Sequence, residues 1–279
     1  MKYTVILLFI LVFLSGCVQE KEQNQIELNV VHPKKAIYGN DFEIKFFLKN
    51  TFEDEIKNVF VKINSFDLLK FKKIEKCDGE IRENGCFFNK LEPDSEKQII
   101  FIFELPENIY LPGSDIKVQP EFSINYYYSK QSVWKIPILG DNFKGSKNFL
   151  YPSIDGPIKI IMSIYSDEEN IANKNIMSND IFSIKIDLVD NENSNTIIKK
   201  DDFKITIDGF EIYNPERCSF EGSKELKPKE DIQLPMKRSL ICMLKSKSID
   251  PDKWDYGTII IDYSYNYNIV KSIIIESSK

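Results

Sequence analysis

The sequence predicts an all-β protein: two tandem antiparallel β-sandwiches behind an export signal. Three observations predict it. Apolar residues alternate with polar ones over many short runs, the chain repeats itself in order, and four cysteines fall two to each copy. Ile, Lys, Asn, Tyr and Phe dominate and Ala is scarce, which depletes the best helix former and enriches strand formers.

Residues 1–16 read as a signal peptide. Lys2 supplies the positive start, and Val5 to Leu14 form an apolar run. As a helix that run would span roughly 15 Å, about half of a bilayer core, too short to cross. Leu14, Ser15, Gly16 and Cys17 then resemble the lipobox of bacterial lipoproteins, and a similar box occurs in archaeal ones. The resemblance implies cleavage before Cys17, whose thiolate accepts membrane lipid. Residues 17–25 read as the lipidated cysteine and a polar tether. The eight residues from Val18 to Gln25 reach at most about 28 Å when extended, which holds the folded part near the membrane. The expected location is the extracytoplasmic face of the cell membrane.

Removing the signal leaves about 260 residues, the size of two domains. The repeat places them at 26–139 and 151–279, joined by a linker at 140–150. Residues 122–128 (FSINYYY) align with 259–265 (IIIDYSY), and the same offset sets Val133 on Val270, Ile136 on Ile273 and Ile138 on Ile275. Residues 42–50 (FEIKFFLKN) match 182–190 (FSIKIDLVD), and 59–63 pairs more loosely with 203–207. Within these blocks Phe42, Ile44, Phe46 and Leu48 share one face, as do Phe122, Ile124, Tyr126 and Tyr128, and Ile259, Ile261, Tyr263 and Tyr265. A period of two with one polar face is the mark of a half-buried antiparallel strand. The last pair of strands in each copy reads as a hairpin, turning near Ser129-Lys130 and near Asn266-Tyr267. Insertions at 167–178 and 224–237 read as surface loops.

With Cys17 set aside for lipid, Cys77, Cys86, Cys218 and Cys242 remain, an even number in an exported chain, which reads as disulfides. Three connectivities are possible. Local pairing, Cys77 with Cys86 and Cys218 with Cys242, would contribute roughly 2.5–3.5 kcal/mol per bridge in the loop-entropy model. A four-cysteine zinc site would lack the short C-x2-4-C knuckles such sites use.

Seven or so strands per copy, a Leu-x-Pro turn before a strand (Leu91 to Pro93, Leu226 to Pro228) and the tyrosine-bearing penultimate strand resemble immunoglobulin-like modules of bacterial and archaeal surface proteins. The resemblance covers most of 26–279 and implies a β-sandwich that presents loops or an edge strand. The antibody order of Cys, Trp, Cys is not met, since Trp134 and Trp254 lie outside both cysteine pairs.

The chemistry-bearing residues are few. His32, the only histidine, stands before Pro33 with no motif around it, so neither a Ser-His-Asp site nor a histidine zinc site is predicted. The run 190–195 (DNENSN) is oxygen-rich but lacks the glycine of an EF-hand loop; a Ca²⁺ loop and a hairpin tip both fit it. No metal, no cofactor and no catalytic residue is predicted. Net charge is −6, which disfavours nucleic acid. Alternate tyrosines are expected to bury their rings. Off-face Tyr127, with Trp134, is the candidate exposed partner contact. The expected function is a non-enzymatic, membrane-tethered surface scaffold or binding protein for a protein or envelope partner. A polysaccharide-binding accessory module and a solute-capturing lipoprotein of a transporter are the alternatives. The transporter reading needs α/β lobes around a cleft.

Overall fold

A computed structural model describes residues 26–109, 115–145, 147, 156–166, 169–170, 176–190, 196–234 and 238–278. The signal segment, Cys17, the tether, Phe149, Leu150, Tyr151 and residues 191–195 lie outside them. Among the described residues the fold is all-β, and helix is confined to three single turns at Glu107–Ile109, Lys200–Asp202 and Pro215–Arg217. The helical lobes of a solute-capturing protein are not among the described residues.

Two smaller outer sheets lie against the same face of a longer central one. The first outer sheet orders Ile26–Val31, Asp41–Asn50, Glu96–Glu104 and Lys70–Cys77, all antiparallel. The second orders Glu169–Asn170, Ile158–Ser166, Ile181–Asp190, Arg238–Ser246 and Phe210–Ile212. The central sheet takes strands from both copies. Its path runs Phe220–Gly222, Glu225–Pro228, Phe203–Asp208, Trp254–Ser272, Glu121–Leu139, Ile56–Ser65, Gly85–Leu91 and Glu80–Arg82.

Alternation produces these layers as the sequence predicts. Ile44, Phe46 and Leu48 are fully buried, and so are their counterparts Ile184, Ile186 and Leu188. Phe122, Ile124, Tyr126 and Tyr128 face inward on one long strand, and Ile259, Ile261, Tyr263 and Tyr265 on the other. These side chains belong to one continuous apolar core that draws on both copies. Burying such residues is the main favourable contribution to folding, about 1.5–3 kcal/mol per large side chain.

The expected hairpins are a correction. Glu121–Leu139 and Trp254–Ser272 are each one unbroken strand of 19 residues, running straight through Ser129-Lys130 and Asn266-Tyr267. They pair with each other over their whole length, from Glu121 opposite Ser272 to Leu139 opposite Trp254. Neither expected turn holds a glycine. A tight hairpin turn needs left-handed backbone at its tip, which glycine adopts most cheaply. A second correction concerns Leu226 to Pro228. These residues lie inside a strand, with Leu226 opposite Ile205 and Pro228 opposite Phe220, whereas Pro93 stands outside the strand that ends at Leu91.

Both cystines tie a central-sheet segment to an outer sheet. Cys77 at the end of Lys70–Cys77 bonds Cys86 in Gly85–Leu91, with Cα atoms 5.8 Å apart. Cys218, just before Phe220–Gly222, bonds Cys242 in Arg238–Ser246, with Cα atoms 4.1 Å apart. The described start of the segment that the sequence reads as a linker is docked. Gly140 N–H donates to Lys253 O at 2.9 Å, Asn142 N–H to Pro251 O at 2.9 Å, and the Lys147 ammonium lies 4.2 Å from the centre of the Trp254 ring.

Candidate functional site

The two long strands put all the sequence-predicted aromatic residues onto one ladder, on two faces with different fates. Residues of even number on Glu121–Leu139 point into the sandwiches, and those of odd number point to the outer surface of the central sheet.

On the inner face five tyrosines meet between the copies. Tyr128 lies opposite Tyr265 with ring centroids 5.6 Å apart, and Tyr126 opposite Tyr267 at 5.3 Å. Tyr263 stacks on Tyr265 at 6.2 Å, and Phe52 reaches Tyr128 at 5.3 Å. Two of the phenols bond to the second outer sheet. Ile158 N–H donates to the Tyr265 hydroxyl at 3.2 Å, and the Tyr267 hydroxyl donates to Asp190 Oδ1 at 2.9 Å. Burial pushes the Tyr263 phenol well above its ordinary range, against a smaller opposing effect of the neighbouring Tyr128 hydroxyl. Burial likewise raises Tyr265, reinforced by the neighbouring phenols.

Trp134 belongs to this inner set. It is 2 % exposed and lies opposite Ile259, so its ring packs in the core and offers no surface for a partner. Tyr127 is separated from it. It is half-buried on the outer face, at an open groove of about 430 Å³ whose lining includes Gln131, Asp262, Lys204 and Asp201. The polar groups of the groove engage one another: Gln131 Nε2 donates to Asp262 Oδ1 at 2.7 Å, and Lys227 reaches into the rim to bond Asp201 at 2.8 Å. A flat groove of this kind offers hydrogen-bonding groups and one aromatic edge to a ligand.

Two buried polar residues escaped the sequence reading. Asn50 is fully buried. Its Nδ2 donates to Leu91 O at 2.9 Å and to Asp54 O at 3.0 Å, and its Oδ1 accepts from Phe52 N–H at 3.0 Å. Asp190, 7 % exposed, holds the equivalent place in the second copy. The repeat of 42–50 on 182–190 had already aligned them and carried the signal. Asp190 serves as an acceptor for Tyr267; the rest of the oxygen-rich run lies outside the described residues.

His32 Nδ1 lies 3.0 Å from Pro33 O, at the end of the first strand. Among the described residues no group of three His, Cys, Asp or Glu side chains could hold a metal ion, and no helix is long and apolar enough to cross a membrane.

No protein family and no curated protein matches the chain. Among solved structures it is similar to the secreted serine protease VesC from Vibrio cholerae, at 10 % identity, over 86 % of this chain and 51 % of that one, with a TM-score of 0.23. The chain thus spans about half the length of that structure. A likeness at that TM-score carries no argument about fold or activity.

Proposed function

We propose that the chain is a lipid-anchored protein of the extracytoplasmic membrane face, whose two immunoglobulin-like sandwiches bind or scaffold a protein or envelope partner without chemistry of their own. The observation that carries this reading is the duplicated all-β body with a cystine in each copy. Cystines persist in oxidising compartments outside the cytoplasm, in keeping with an exported chain. The immunoglobulin-like assignment is supported by strand order. In the first copy Ile26–Val31, Asp41–Asn50, Glu96–Glu104 and Lys70–Cys77 form one antiparallel sheet, and Glu121–Leu139, Ile56–Ser65 and Gly85–Leu91 lie side by side in the other, similar to the division of strands in constant-type domains. The lipid anchor rests on Cys17 and the apolar run before it.

Membrane fractionation tests the anchor. Replacing Cys17 with Ser should move the protein from the membrane to the soluble fraction and abolish incorporation of labelled lipid. Retention of Cys17→Ser in the membrane through alkaline washing would remove the anchor from the reading. Crosslinking on intact cells tests the binding role: a discrete adduct with native chain, weakened by Tyr127→Ala without loss of melting temperature, is the expected result. The groove at Tyr127 favours a second reading, a polysaccharide ligand, because flat polar grooves with an aromatic edge suit sugars. Glycan-array binding lost in Tyr127→Ala would select it over the first.

A further inference from the structure

We infer that the two copies are strand-exchanged: each lends its last strand segment to complete the other's sandwich, so that the chain is an arm-exchanged dimer joined into one polypeptide. The pairing carries this. Trp134 faces Ile259 and Phe122 faces Lys271. The internal repeat equates Phe122 with Ile259 and Trp134 with Lys271. The early half of each long strand is therefore paired with the late half of its counterpart, where a closed hairpin would pair it with its own.

The ends of the arms repeat the pattern. Ile138–Leu139, from the first copy, run parallel to Ile176–Met177 of the second. Ile275, the counterpart of Ile138, opens the segment Ile275–Ser278, which runs parallel to Lys35–Ile37 of the first copy. Their backbone bonds are equivalent too. Gly140 N–H donates to Lys253 O at 2.9 Å in the second copy, and Ser277 N–H to Ile116 O at 2.8 Å in the first. Ser277 Oγ adds a bond from Ile116 N–H at 2.8 Å. The register does not slip anywhere between Lys117 opposite Glu276 and Leu139 opposite Trp254. Its midpoint is the pair Tyr128 and Tyr265, which are the same position in the two copies. Pairing of a position with its own counterpart marks a two-fold axis, the geometry of an isologous interface, and exchange of identical elements is a low-cost route to one.

The hinges suit the open form. Ser129-Lys130 and Asn266-Tyr267 contain no glycine and sit in extended strand, so opening each hairpin removes a turn that these residues fill poorly. The partner this surface fits is thus the other half of the same chain.

Thiol crosslinking of the full chain distinguishes the two arrangements. Gln131 faces Asp262 in the exchanged form, whereas a closed hairpin of equivalent register, turning about Tyr128, would set Gln131 beside Asn125, the counterpart of Asp262. Six residues along one extended strand separate Gln131 from Asn125 by about 20 Å, beyond a short crosslinker. The variant Gln131→Cys/Asp262→Cys should therefore give linked peptides at single-chain mass, and Asn125→Cys/Gln131→Cys none. The reverse pattern, or linkage only at twice the chain mass, would overturn intrachain exchange. A second measurement leaves the ladder unmodified. A specific protease site is inserted between Gly145 and Gly156 of the full chain and cut after folding. The two fragments should elute together as one species in native buffer and separate only in denaturant. Fragments that part in native buffer would overturn the inference.

Discussion

Tyr128 and Tyr265 face each other across the centre of the long ladder, ring centroids 5.6 Å apart, and each is the other's counterpart in the repeat. The packing around this pair decides which substitutions reach both copies.

Trp134→Ala should be among the costliest single changes. The ring is 2 % exposed and lies on the shared ladder. Truncating a buried tryptophan costs about 3–5 kcal/mol, which lowers the Tm of a chain this size by roughly ten degrees. Scanning calorimetry reads it. An unchanged Tm with weakened partner capture would instead make Trp134 a surface contact.

Tyr267→Phe keeps the ring and removes the hydroxyl that donates to Asp190 Oδ1 at 2.9 Å. A buried hydrogen bond to a carboxylate contributes about 1.5–3 kcal/mol, so the unfolding free energy from urea melts should fall by that much. Tyr127→Phe, on the outer face, should shift it by under about 0.5 kcal/mol. Equal shifts for the two would count against the inner-face assignment.

Alkaline pH should destabilise the fold through Tyr263 and Tyr265. Both phenols are raised by burial. Below the ordinary phenol range, about pH 10, folded and unfolded chains are both neutral there and nothing is lost. Above it the unfolded chain ionises while the folded one holds its protons, so stability falls as pH climbs towards the folded values. Urea melts at pH 8 and pH 11 should show the loss, reduced in Tyr263→Phe. Parallel losses in native chain and variant would exclude Tyr263 as a source.

Each cystine should stabilise in proportion to the loop it closes. Cys77 and Cys86 are 9 residues apart, Cys218 and Cys242 24. Loop entropy gives about 2.5 kcal/mol for the first and about 3.5 kcal/mol for the second. Guanidinium melts of Cys77→Ser/Cys86→Ser and Cys218→Ser/Cys242→Ser should rank that way. The opposite ranking would mean that packing at the sulfurs, and not loop length, sets their worth.

Faces were legible in the sequence and partners were not. Alternation told which side of Phe42, Phe122 or Ile259 turns inward, because that depends only on neighbouring residues. It could not tell whether Trp134 pairs near Phe122 or near Ile259, since both choices keep the same face. Trp134 shares its phase with Tyr128, and this parity already placed it inside; the assumed turn at Ser129-Lys130 hid that. Tyr127, out of phase, was separated from the buried tyrosines by the same rule. Asp190 was legible only through its alignment with Asn50, as a buried polar position, because a lone oxygen-rich run does not reveal what its first residue bonds.

The long ladder is also a spar. Nineteen residues of strand at ~3.3 Å each reach about 60 Å, and the strand is braced along its length by its counterpart. Sites at opposite ends of such a beam keep a set distance and orientation. A ligand touching both modules would then pay little to order them, and a strap of the wrong length would fail to bridge them however well each end fits.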